Sequence, residues 1–412
     1  MARVKAFRGL VPRPDIVEKV ACVPYDVVNR AEAAELAAGL PESLMHVDRA
    51  EIDLPETVNP YDDAVYAQAK KAFGHMISTG IFQREEKPCL YLYRQRMGKY
   101  EQTGLVGVCP VEDYENDIIR KHEKTRKDKE DDRTRLIATI SANTGPVFLT
   151  YREDTEIDAA VARECTATPL YDFTAVDGIA HTVWRVKDAA FFEKAFERIP
   201  LLYVADGHHR SASAARVGRE RRAANPAHTG NEDYNSFLCV LFPGNQLRIL
   251  PYNRVVYNLN GHTPESFLSE VRKIFTVTEN AAPEPTAPHN ASCYLAGRWY
   301  GLSWPEPEKE QPVAAPDPVS RLDVSVLQDR LLAPVLGIDD PRTSKRIDFV
   351  GGIRGTGELV RRVDSGECAV AFSMFPTTVE QLMAIADAGQ IMPPKSTWFE
   401  PKLRSGLFVH IF

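Results

Sequence analysis

No stretch of this 412-residue chain approaches the roughly 18 unbroken apolar residues of a membrane span. Its opening, MARVKAFRGLVPRPD, lacks the apolar core of a secretory signal, so a cytoplasmic location without a membrane partner is expected. Cysteine is scarce and scattered: seven residues, at 22, 89, 109, 165, 239, 293 and 368, with no C-x-x-C pair. Such a set points to buried or free thiols and argues against a disulfide frame or a thiolate zinc site. Cys22 and Cys239, in VACVPY and FLCVLF, read as core residues. Positive charge is also in deficit. With 50 Lys and Arg against 57 Asp and Glu, the net charge of -7 speaks against a chain built to coat nucleic acid. Glycine-rich phosphate loops are missing too. Without a Gly-x-Gly-x-x-Gly or Walker sequence, Rossmann and P-loop folds lose their main support.

What remains is an ordinary globular composition, 44% hydrophobic and 26% charged, in a chain long enough for two or three domains. Apolar, β-branched or aromatic runs at Cys89–Tyr93, Gly104–Val111, Val147–Tyr151, Thr182–Val186, Leu201–Ala205, Phe237–Phe242 and Leu247–Leu250 read as strands. Helical patterns lie at Tyr61–Ser78, Asp188–Arg198 and Ser211–Ala224. The mixture predicts an α+β (mixed α/β) fold. The proline-rich segments Ala281–His289 and Pro305–Pro318 read as exposed loops, and CYLAGRWYGLSW between them alternates like a hairpin. A core over residues 1–261 with an N-terminal extension is expected, followed by a smaller α+β unit over 262–412 whose tail links back.

The most informative residues are Asp206-Gly207-His208-His209-Arg210. They stand between the apolar run Leu201–Ala205 and an alanine- and arginine-rich stretch without proline, where a turn or N-cap belongs. The chain should leave a strand, turn tightly and start a helix with two histidines and an arginine in its first turn. Such a start offers backbone N–H groups and a partial positive charge, and Arg210 adds a fork of donors. That combination suits a phosphate or carboxylate. A capped surface helix with satisfied histidines is the plainer alternative.

A second concentration of charge runs from Arg120 to Arg135, eight Lys or Arg and five Asp or Glu in sixteen residues. Mixed-sign spacing such as Glu123–Lys127 fits an exposed helix face. On a continuous helix, however, His122, Thr125, Lys129, Asp132 and Arg133 fall near one stripe and could converge.

YVADGHHR resembles the signature of the bacterial family known as domain of unknown function 1015. The same resemblance is carried, in order, by VPYDVVNRAEAAELAAG (Val23–Gly39), SLMHVDRAEIDLP (Ser43–Pro55), RKHEKTRKDKEDDRTR (Arg120–Arg135), NTGPVFLTY (Asn143–Tyr151) and MPPKSTWFEPKLRSGL (Met392–Leu407). The chain is identified as a member on these segments. One departure stands in ILPYNRVV, where Asn253 precedes Arg254 and the family usually has histidine. His122, Glu123, Thr125, Lys129, Asp132 and Arg133 match the family's H-E-x-T-x-x-x-K-E-x-D-R pattern. Over about 25 residues the strand, turn and helix also look like the nucleotide-binding box of the ParB/sulfiredoxin-like superfamily. There a Gly-x-x-Arg turn binds nucleotide phosphates, and the members include free-serine kinases.

The resemblance implies a ParB/sulfiredoxin-like core and a kinase transferring phosphate from ATP or ADP to a free hydroxyl amino acid, L-serine first, with Mg²⁺ as cofactor. Gly207, His208, Arg210, His122, Thr125, Lys129 and Arg133 would hold the nucleotide. Asp206, Glu123 and His209 would carry the chemistry, and Asp206 and Asp132 would take the metal. Lys395, Ser396 and Thr397 could add phosphate contacts, and Asp26 is a lesser candidate carboxylate. A non-catalytic nucleotide-sensing regulator is the first alternative. A metal-dependent hydrolase using His122, Glu123, His208 and His209 is the second, although adjacent histidines on a helix point apart. The partners are a nucleotide and a small molecule, and a homodimer is compatible.

Overall fold

The structure is a computed structural model that describes residues 1–305 and 317–412. Most of the proline-rich stretch Pro305–Pro318, expected as a loop, lies outside the described residues. The chain divides into two compact units: Met1–Leu247 with Pro401–Phe412, and Arg248–Glu400. The division expected at residue 261 falls inside the second unit. The cause is the strand Tyr252–Val256, which hydrogen-bonds to Ile347–Gly351 and Val370–Met374.

The fold is mixed α/β. In the first unit eight strands form one sheet: β1 (Tyr91–Met97), β2 (Tyr100–Pro110), β3 (Ile119–Arg120), β4 (Val147–Tyr151), β5 (Tyr171–Thr174), β6 (Ala180–Arg185), β7 (Leu202–Asp206) and β8 (Ser236–Pro243). Their order is β3-β7-β4-β8-β2-β1-β6-β5, with β3 on β7 and β4 on β8 parallel and the rest antiparallel. Continuous apolar runs suit strands buried on both faces. In β4, Val147, Leu149 and Tyr151 join one core, while Phe148 and Thr150 between them are equally buried. A second core gathers Met45, Phe73, Phe82, Leu136 and Val409.

Three helices matter for the site: α1 (Asp63–Ser78), α2 (Lys127–Ile140) and α3 (His208–Ala224). Small residues along α3 let its neighbours approach closely; a Cβ on Gly218 would meet the Tyr234 carbonyl at 2.8 Å. Ser213 Oγ donates to the Glu130 carbonyl at 3.0 Å and Arg216 pairs with Asp131 at 2.6 Å, fastening α3 to α2. The charged segment is not one continuous helix. Ile119 and Arg120 are drawn into the sheet by β7, residues 121–126 lie outside any helix, and α2 starts only at Lys127.

The second unit holds a six-stranded antiparallel sheet with its own core, including Val255, Tyr294, Val350, Leu359 and Ala371. The expected hairpin is there, Asn290–Leu295 on Arg298–Ser303, turning through Ala296 and Gly297, both at positive φ. A separate ribbon pairs Arg248–Leu250 with Trp398–Glu400, so the chain enters and leaves this unit at one place.

Candidate functional site

Strand β7 carries an extra residue just before its end. Val204 pairs with Leu149 and Asp206 with Phe148, leaving Ala205 unmatched, and such a bulge re-aims the residues after it. Gly207, at φ 95°, then reverses the chain into α3. A side chain there is excluded twice, by the left-handed backbone and by Arg210 Nε, 3.0 Å from where a Cβ would sit. Asp206 Oδ1 accepts the Gly207 N–H at 3.0 Å. Its Oδ2 faces Lys402 Nζ at 3.3 Å and the Arg210 guanidinium at 3.4 Å. Burial opposes ionisation of Asp206, but Lys402 and Arg210 outweigh it and hold the carboxyl well below the usual range. Arg210 also donates to the Pro146 carbonyl. The first turn of α3 thus presents N–H groups and a partial positive charge beside a neutralised carboxylate, a geometry suited to an anion.

The parallel pairing of β3 on β7 decides what lies next to this turn. Ile119 pairs with Leu202 and Arg120 with Tyr203, so the chain leaving β3 runs beside the chain entering the box. His122 thereby meets His208 edge to face, ring centroids 4.4 Å apart, with the two residues only 1% and 6% exposed. Among the described residues, neither ring nitrogen of His122 nor Nε2 of His208 has a partner in hydrogen-bonding geometry. An unpaired buried polar atom costs on the order of 1–3 kcal/mol. Burial pushes the His122 imidazole down to about 4, opposed by the nearby Val204 backbone carbonyl, which is too poorly aligned to count as a good hydrogen bond, and by the Asp206 charge. Burial, then the neighbouring His122, lowers His208 as well. One ligand atom from each of His122, Glu123 and His208 lies within 4.8 Å of the others. His209 points elsewhere, its Nε2 accepting the Arg126 N–H at 3.0 Å.

A charged cluster adjoins Arg210. Arg133 pairs with Asp132 at 2.7 Å, donates to the Asp48 carbonyl at 3.2 Å and lies over the Tyr25 ring at 4.1 Å. Asp48 Oδ1 accepts Thr144 Oγ1 at 2.6 Å. Burial raises the Asp48 carboxyl, and Arg133 pulls it back. Tyr25, Asp48, Arg133 and Thr144 line, with Arg210 and Ser405, a cavity of about 30 Å³. That volume is on the order of two waters.

Of the remaining expected residues, Thr125 donates to Glu130 at 2.7 Å, and Lys129 reaches the Tyr61 hydroxyl at 2.9 Å. The single helical stripe does not exist, because His122 and Thr125 precede α2; strand pairing, not helix periodicity, brings His122 to the box. Asp132 accepts the Tyr66 hydroxyl at 2.8 Å and pairs with Arg133. Asp132 and Asp206 are therefore each matched by cations, a poor fit for Mg²⁺, which needs uncompensated oxygen donors. Lys395, Ser396 and Thr397 lie in the second unit, where Ser396 Oγ donates to the Pro393 carbonyl at 2.6 Å and Lys395 lies over the Tyr252 ring. Asp26 is exposed. Sequence reasoning passed over Lys402, Asp48, Thr144 and Ser405. The signal for them was present, since each stands in one of the segments that carry the family resemblance.

The chain belongs to the family described as "Protein of unknown function (DUF1015)", which matches residues 4–325. No curated protein matches it. Among solved structures, a free serine kinase variant in complex with AMP is 10% identical, covering 71% of this chain and 87% of its own, at a TM-score of 0.37. A conserved hypothetical protein from Pyrococcus furiosus is 12% identical, covering 73% and 93%, at 0.36. C-terminally truncated SbnI from Staphylococcus aureus is 12% identical, covering 73% and 85%, at 0.37. Among the described residues, no helix is long and apolar enough to cross a membrane.

Proposed function

We propose that the protein is a cytoplasmic phosphotransferase that moves a phosphoryl group from ATP or ADP to a free hydroxyl amino acid, L-serine being the first candidate. The observation that carries this reading is the bulge, Asp206, left-handed Gly207 and Arg210 at the start of α3. Phosphoryl transfer asks little covalent chemistry of a protein; it asks for phosphates held, charge matched and a hydroxyl oriented. The N–H groups of α3 and the Arg210 guanidinium would take phosphate oxygens, with Lys129 adding charge. Asp206 would orient the acceptor hydroxyl and receive its proton, and the phosphate would displace it from Lys402. Mg²⁺ would travel on the nucleotide's own phosphates. The resemblance of the box to free-serine kinases supports the choice of acceptor.

The test is incubation of the purified chain with Mg-ATP or Mg-ADP and a pool of hydroxyl amino acids. O-phosphoserine formed in step with nucleotide consumed is the expected result. Nucleotide binding without turnover of any acceptor would favour a sensing role instead.

A further inference from the structure

We propose that His122, Glu123 and His208 form a binding site for one divalent transition-metal ion of the zinc or cobalt kind, beside the start of α3. The site stands apart from the phosphotransfer reading, since it needs neither nucleotide nor acceptor. Its first support is the state of the imidazoles. Both belong to residues more than nine-tenths buried, yet His208 Nε2 is without a hydrogen-bond partner among the described residues, and His122 has the Val204 backbone within reach but no bond in good geometry at either nitrogen. His181, buried in the same unit, has both nitrogens bonded.

The second support is convergence from separate elements. His122 comes from the segment after β3 and His208 from the first turn of α3, and the parallel strand pair fixes both. Donor atoms of the two rings and of the Glu123 carboxylate lie within 4.8 Å of one another. An ion with bonds of about 2.0–2.2 Å needs donors separated by roughly 3.3–3.6 Å, a closure of up to about 1.5 Å by side-chain rotation. Two nitrogens and one carboxylate suit a borderline ion and disfavour Mg²⁺, which prefers oxygen throughout. Three protein ligands also leave a position for water or for an oxygen of an anion at the helix start.

The experiment uses the full chain, stripped with chelator and dialysed, titrated calorimetrically with Zn²⁺ alone and with Mg²⁺ alone; Co²⁺ is followed by visible absorption. One Zn²⁺ per chain is expected, with millimolar Mg²⁺ neither binding there nor displacing it. His208→Ala and His122→Ala should weaken Zn²⁺ about 100-fold or more, and Glu123→Gln about tenfold. His228→Ala, a histidine paired with Glu232 elsewhere, should leave it unchanged. Circular dichroism checks the buried variants, and Glu123→Gln at a half-buried position tests the site even if they fail to fold. Absence of stoichiometric Zn²⁺ binding by the wild type, or binding that survives Glu123→Gln and a folded His208→Ala undiminished, overturns the proposal. Neither result depends on phosphotransfer, so failure of the kinase reading remains separately visible.

Discussion

His181 and His122 are the same residue type at the same depth, 0% and 1% exposed, and they do opposite things. His181 stacks on Phe173 at 5.1 Å, shares 2.7 Å with the Tyr93 hydroxyl at Nδ1 and accepts Arg404 Nε at its Nε2, 3.2 Å away. That network assigns its proton to Nδ1. His122 has no bond in comparable geometry among the described residues, only the nearby Val204 backbone and the edge of another histidine. Burial alone does not separate a structural histidine from a ligand. The count of satisfied nitrogens does, and it places the imidazole with idle valence at the start of α3.

Acid should break the comparison hardest. Burial and then the Arg404 charge hold the His181 imidazole near 3, against 6.5 in the unfolded chain, while Asp177 opposes weakly. Below pH 6.5 the unfolded chain takes up a proton that the folded one refuses. Stability is therefore full above about 6.5 and falls towards pH 3, by on the order of 4 kcal/mol for this group. Denaturant midpoints measured across that window should slope less steeply in His181→Gln; an identical slope would remove the argument. At neutral pH, His181→Ala strands the Tyr93 hydroxyl and Arg404 Nε and opens a void, a loss of about 3 kcal/mol. In metal-free protein His122→Ala opens a comparable void but strands fewer bonded partners, so it should cost about 1 kcal/mol less than His181→Ala. Equal melting shifts for the two would erase the distinction.

Within the proposed reaction, Asp206→Asn keeps an acceptor for the Gly207 N–H but removes the charge. Turnover should drop about 100-fold, roughly 2.7 kcal/mol, with nucleotide affinity unchanged or tighter. A variant within threefold of wild type would reduce Asp206 to a turn residue. The smallest change is Lys129→Ala, worth less than about 0.5 kcal/mol in stability at its half-buried position, yet about tenfold in transfer rate if it faces phosphate. A rate equal to wild type would return Lys129 to its contact with Tyr61 alone.

Much of the fold was legible because the strands are long apolar runs. Val147–Tyr151, Leu201–Ala205 and Phe237–Phe242 became β4, β7 and β8 to within a residue at each end. The box was legible as local chemistry. What was not legible is long-range. Nothing local in Arg120–Arg135 says that its first residue joins a sheet, since the partner, Tyr203, is far along the chain. Lys402, rather than Lys395, reaches Asp206 for the same reason: 196 residues separate that pair. The resembling segments each deliver a residue to one place, Tyr25, Asp48, Arg133, Thr144, Arg210 and Ser405 around one cavity. Their convergence could be read only once the strands were paired.

The ribbon Arg248–Leu250 with Trp398–Glu400 makes the second unit an insertion, spliced into the first between residues 247 and 401. During synthesis, Asp206 and Arg210 therefore leave the ribosome long before Lys402 and Ser405 exist. Until then the acid lacks one of its two counter-charges and the cavity one of its walls. The inserted unit can fold in the interval, because its two ends meet in its own ribbon. Pairing of its two ends shortens the path that residues 401–412 must cover to join the first unit. A defect that unfolds the inserted unit would leave a nascent chain with an unfinished site, a target for chaperones and proteases rather than a slow enzyme.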